Sequence, residues 1–209
     1  MNKTVGLLLA RAFVYMLFVA GLVYLITLEG YRDLAASEYA EGSLTERLQS
    51  LAAILSSACF LLAARFSTSL RPVSVMLAAL TCMMFIREAD YFLDAHLFDG
   101  AWQALVAVIL VVAGVYLWRQ PHSIGESIQT YAQQPSAGIL LSGILVTFVF
   151  SRLFGRASFW EAVMGESYLR VVKNIAEEGT EMLGYGLIVI AALELLFVAS
   201  RGLRRPQKV

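Results

Sequence analysis

Six apolar runs divide this chain, at roughly Thr4–Leu28, Leu48–Ala64, Pro72–Ile86, Ala101–Trp118, Ala137–Leu153 and Leu183–Ala199. Most approach the ~20 residues, at ~1.5 Å rise each, that carry a helix across a hydrocarbon core. The pattern predicts an all-α, polytopic membrane protein, a six-transmembrane-helix bundle forming one domain over residues 1–209. Expected helices cover approximately 4–28, 44–66, 72–97, 101–119, 136–154 and 168–200. The stretch 157–167, with Phe159, Trp160 and Met164, has the aromatic content of a short interfacial helix.

Local signals set the boundaries. Ser43-Leu44-Thr45-Glu46 is a capping box opening the second helix. Pro72 and Pro135 stand in first turns, where a missing N–H costs nothing. Asp99-Gly100 supplies the turn before the fourth helix. Gly143, Thr147, Ser151 and Gly155 recur every fourth position, a small-residue seam suited to close helix contact.

Composition agrees with this reading: 59% of residues are apolar and 15% charged, which excludes an ordinary soluble domain. The zero net charge hides a strong asymmetry. Threaded back and forth, one side collects Lys3, Arg11, Arg65, Arg71, Arg119, Arg201, Arg204, Arg205 and Lys208, and only two of the 16 acidic residues, Glu126 and Glu194. Short basic loops stay inside, which predicts cytoplasmic N- and C-termini in a bacterial-type inner membrane and an acidic face toward the periplasm. The basic tail follows a span directly, so its expected partners are anionic lipid headgroups of the bilayer, not nucleic acid. Cys59 and Cys82 lie inside apolar runs and offer no disulfide motif. Oligomeric state is not legible here.

Two segments break the apolar pattern. In Arg87–His96, Arg87, Asp90, Tyr91 and Asp94 share one face of a continuous helix, with Glu88 beside them. In Arg170–Glu181, Arg170, Lys173, Asn174, Glu177 and Glu181 share a face, continued by Gly184 and Tyr185, and Glu178 follows Glu177 in the chain. Glu177–Glu181 is a like-charge i,i+4 pair that needs a proton, a base or a bound cation to neutralise it. Up-and-down connectivity would bring Glu46, Gln49, Arg87, Glu88, Asp90, Asp94, Ser151, Arg152, Lys173, Asn174, Glu177, Glu178 and Glu181 to one outward-opening pocket. Ionisable groups at membrane depth normally face an interior or a water-filled cavity.

Three functions fit such a pocket. The first is binding of a cation or small polar ligand for sensing or transport. Carboxylates and amides are the hard oxygen ligands preferred by Ca²⁺, Mg²⁺ or Mn²⁺, with Asp90, Glu177 and Glu181 as candidate metal ligands. Arg87, Arg152 and Lys173 would tune the carboxylates or hold an anionic group. The second is a membrane-embedded enzyme, metal-dependent or not, acting on a lipid or lipid-linked headgroup, for which no catalytic residue is assigned. The third is a structural ion-pair network in a membrane scaffold. No cofactor is otherwise indicated. Glu177-Glu178-x-x-Glu181 lacks the histidine of the helical di-iron motif, GxSxG is absent, and His96 and His122 are expected on opposite sides of the membrane.

Overall fold

A computed structural model describes residues 3–33 and 43–202 of the chain. Those residues are helical throughout apart from short connections: α1 Lys3–Asp33, α2 Leu44–Phe66, α3 Arg71–Glu88, α4 Asp90–His96, α5 Ala101–Trp118, α6 Pro121–Ala132, α7 Pro135–Leu145, α8 Ser151–Phe154, α9 Ala157–Met164 and α10 Arg170–Gly202. A π-helical turn, Val146–Phe150, joins α7 to α8 without interrupting the rod. Among the described residues, five helices are long and apolar enough to cross a membrane, and six if α3 and α4 form one broken span. Exposed Leu, Val and Phe side chains along α1 and α5 leave the 18-residue apolar stretch of each only 6% buried. Such surface is stable only in an apolar solvent. The residues 34–42 and the tail residues Arg204, Arg205 and Lys208 lie outside the described part.

The chain divides into two compact units. The first combines 1–48 with 142–186, and the second combines 49–141 with 187–209. In the second, α3 packs on α5 and α6. Ser57 Oγ on α2 donates to the Ala78 carbonyl on α3 at 3.0 Å, and the Val73 amide donates to Ser127 Oγ on α6 at 3.1 Å. Helix α6 lies where the sequence reading expected only a loop. Its signal was weak but present, since Ile124, Ser127 and Tyr131 recur at helical spacing, and Ser127 and Tyr131 are buried. Tyr131 donates to the Ser136 carbonyl at 3.3 Å; burial pushes its phenol up to about 12, against a small opposing effect of bonding to Ser136. It is therefore a packing residue that stays neutral at ordinary pH.

The expected helix over 72–97 is instead broken at Ala89, where α3 and α4 meet at 64°. The Ala89 amide is shared between the Phe85 and Ile86 carbonyls, the tightened geometry of a helix end. Asp90 Oδ1 then takes the Tyr91 amide at 2.6 Å, the local side-chain bond by which Asp competes with helix continuation. The face that would have joined Arg87 to Asp90, Tyr91 and Asp94 is lost at that bend. Asp94 acts as a cap, since its Oδ1 accepts the amide of Ala101, first residue of α5, at 3.1 Å. Gly100 makes the intervening turn with φ of 85°, where any side chain would be strained.

In the first unit, the small-residue seam meets α10 along its length. A Cβ on Gly184 would lie 2.9 Å from the Gly143 carbonyl oxygen and from the Thr147 amide nitrogen, and nearer still to Thr147 Oγ1. Farther along, Ser151 Oγ reaches Glu181 Oε1 at 3.5 Å, and a Cβ on Gly155 would lie 2.6 Å from Glu177 Cγ. All four seam residues therefore face α10, in antiparallel order. Positions four apart in an α-helix drift by ~40° per step, at ~100° per residue. The π turn, closed i→i+5, underwinds the helix and offsets that drift.

Candidate functional site: an acid-rich cluster in the first unit

The seam and α10 together carry a polar cluster in this unit. Arg152 on α8 bridges two carboxylates one turn apart on α10: Nη1 lies 3.2 Å from Glu177 Oε1, and Nη2 lies 2.9 Å from Glu181 Oε1. Lys173 closes on the other oxygen of Glu177 along the same helix. Glu181 is 6% exposed, whereas the Arg152 side chain is 41% exposed. The guanidinium thus enters the cluster from its open side and the carboxylate from its buried side. Beside the pair, Ser151 Oγ also donates to the Thr147 carbonyl at 2.6 Å, holding its side chain within the seam. The like-charge pair Glu177–Glu181 is neutralised by bases, one of the three means open to it.

Glu178, on the neighbouring face of α10, sits in the field of four further carboxylates: Glu46, Glu29, Glu181 and Glu177. Glu29 was missed from the sequence. It stands at the end of the first apolar run, where a charged residue reads as a boundary marker. The structure buries it, 5% exposed, against the start of α2. Its carboxylate accepts the amides of Leu44 and Thr45, the latter at 2.9 Å, and the hydroxyl of Thr45. A helix start exposes unsatisfied N–H groups and the positive end of the dipole, so a carboxylate there is doubly favoured. Ser43 supplies the local half of the expected capping box, accepting the Glu46 amide at 3.1 Å. Replacing Glu29 by Ala should therefore destabilise the fold by about 1–2 kcal/mol. Reversible unfolding in detergent would detect it, and Glu29→Gln, which keeps an acceptor, should lose less.

The anticipated residues are divided between the two units. Glu46, Arg152, Lys173, Glu177, Glu178 and Glu181 belong to the first unit, with Asn174 half-buried on the same turn of α10. Gln49, Arg87, Glu88, Asp90 and Asp94 belong to the second unit. There Arg87 pairs with its neighbour Glu88 at 3.3 Å, and Asp90 and Asp94 serve the helix ends described above. Among the described residues no three His, Cys, Asp or Glu side chains are grouped so as to hold a metal ion. Of the expected ligands Asp90, Glu177 and Glu181, Asp90 accepts a backbone amide in the second unit, and Glu177 and Glu181 are engaged by Arg152 in the first. His96 stacks on Phe92, with ring centroids 4.2 Å apart, and bonds to its carbonyl.

Near the seam's end, Trp160 Nε1 donates to the Phe154 carbonyl at 2.8 Å, and Phe154, Phe159 and Trp160 pack as an aromatic cluster. Helix α9, Ala157–Met164, is thereby held against the end of α8. Helix content, apolar exposure and length define the class: a multi-pass membrane protein. Searches of protein-family models, of curated proteins and of solved structures returned no match to this chain.

Proposed function

We propose that this protein binds a small cation or cationic polar ligand at the acid-rich cluster of its first unit, for sensing or transport across a plasma membrane. The observation that carries the reading is the crowding of Glu46, Glu29, Glu181 and Glu177 around Glu178. Like charges gathered at a partly buried site favour any positive charge that enters, because their repulsion is weakly screened there. Arg152 and Lys173 already supply two such charges, and Arg152 stands on the open side, where an incoming cation can displace it. The basic bias of Arg65, Arg71, Arg119 and Arg201 supports cytoplasmic termini, and with them a cluster that faces the periplasm or cell exterior.

A second reading rests on Arg152 itself. Its simultaneous contact with Glu177 and Glu181 is also what a purely structural clamp between α8 and α10 requires.

Cation titrations of the purified protein, followed by thermal unfolding and calorimetry, separate the two. Sodium, potassium, magnesium, calcium, manganese and a small organic amine form the panel. A bound cation stabilises the native state by about 2.7 kcal/mol at a hundredfold excess over its Kd. Glu178→Gln should keep the fold and lose that response. A wild-type protein indifferent to the whole panel overturns the binding reading and leaves the clamp.

A further inference from the structure

The second unit contains a cleft of about 340 Å³ between α2, α3 and α5. Its walls are almost wholly apolar, and each helix contributes at two matching depths. Leu61, Val75 and Tyr116 lie within about one and a half turns of the helix ends at Phe66, Arg71 and Trp118. Ser57, Cys82 and Val108 lie about one to two turns further in, near the middle of the same helices. The cleft is therefore elongated along the spans, running from just inside one membrane boundary toward the midplane. It opens sideways, since Val108 is 57% and Leu61 54% exposed on surfaces that face the hydrocarbon.

One polar group marks its outer end. The Tyr116 hydroxyl is shielded and has no hydrogen-bond partner among the described residues. By contrast, Ser57 at the inner end is satisfied by the Ala78 carbonyl. A shielded hydroxyl without an acceptor is unfavourable, and an acceptor carried by a bound molecule would remove the deficit. Tyr116 stands two residues before Trp118, at the depth where aromatic residues mark the membrane–water interface. Phospholipid ester carbonyls lie at that level, and their acyl chains run inward from it.

We infer that this cleft is a lipid site, which holds one acyl chain of a membrane phospholipid along α3 and α5, with Tyr116 donating to its ester carbonyl. The apolar walls accept a methylene chain without any polar group to desolvate, and the volume falls within the range of small-molecule sites. The inner end, with its polar atom already satisfied, accommodates the chain terminus. The occupant is thereby distinguished from a free polar ligand, which would find no partner beyond Tyr116.

Native mass spectrometry of the full-length protein, extracted in mild detergent, tests this directly. The wild type should retain one phospholipid-mass adduct. Ala113→Phe, which fills the cleft, should abolish it. Tyr116→Phe should weaken retention roughly three- to tenfold, the worth of one neutral hydrogen bond. Leu110→Phe, on the exposed apolar surface of α5 outside the cleft, should leave it unchanged and serves as the folding control. A photoactivatable phosphatidylcholine with its diazirine on the acyl chain should label the second unit in wild type and not in Ala113→Phe. Absence of an adduct, an adduct equally strong in Ala113→Phe, or an adduct with the mass of a free fatty acid or an ester-free isoprenoid would each overturn the assignment.

Discussion

Gly184→Ala should cost about 3 kcal/mol of stability, the upper end of what overpacking a close contact brings. The reason is that the obstruction is backbone: the added methyl would meet the Gly143 carbonyl oxygen and the Thr147 amide nitrogen at 2.9 Å. Truncating Thr147 relieves the contact with its hydroxyl and leaves those two, so the only remaining response is separation of the two helices. That separation would loosen Ser151 from Glu181 and Arg152 from both carboxylates, because they lie farther along the same seam. Gly179, on the same helix, is the internal control. Nothing stands within 4 Å of a Cβ placed there, so Gly179→Ala should be neutral or stabilise by about 0.5–1 kcal/mol through reduced unfolded-state entropy. Reversible unfolding of both variants in mixed micelles checks the contrast. Equal behaviour of the two would mean that the seam is not a tight contact.

That seam shows how much of the fold was legible. Four small residues at a spacing of four announced a close helix contact, and they make one. What the spacing did not disclose is the π turn that keeps them on one face, since nothing in Val146–Phe150 distinguishes it from ordinary apolar helix. Apolar runs likewise located the spans to within a few residues, because a membrane helix needs length and hydrophobicity and little else. The break at Ala89 was hidden for the opposite reason. Arg87–His96 has good helical periodicity, and periodicity is blind to one Asp that captures an amide at the bend. In the site, Lys173, Glu177 and Glu181 were legible because i,i+4 spacing is local. Arg152 was a candidate, but its bridging of two carboxylates 25 and 29 positions away is a tertiary fact. Glu29 was illegible because its role depends on the start of another helix, whose orphan amides the sequence does not aim.

Arg152→Met should destabilise the protein by about 2–3 kcal/mol, somewhat below the cost of breaking a fully buried pair because the guanidinium is half exposed. Methionine keeps the packing of the aliphatic stem, so the loss reports charge and hydrogen bonding. Glu177 retains Lys173 in this variant, whereas Glu181, 6% exposed, loses its guanidinium. Adding Glu181→Gln should therefore recover most of the loss, and Glu177→Gln should recover less. A double-mutant cycle on the Arg152–Glu181 pair isolates that coupling, provided each single variant keeps the helical content of wild type. Lys173→Met should cost less than half as much as Arg152→Met, because Arg152 still neutralises Glu177. The same cycle discriminates between the two readings of the cluster. A structural clamp gives one stability for each variant whatever cation is present. In a binding site a cation occupies the place of the guanidinium, so Arg152→Met should become more stable as cation is added, with a larger increment than wild type. The doubly substituted protein, with one carboxylate fewer, should respond less than Arg152→Met.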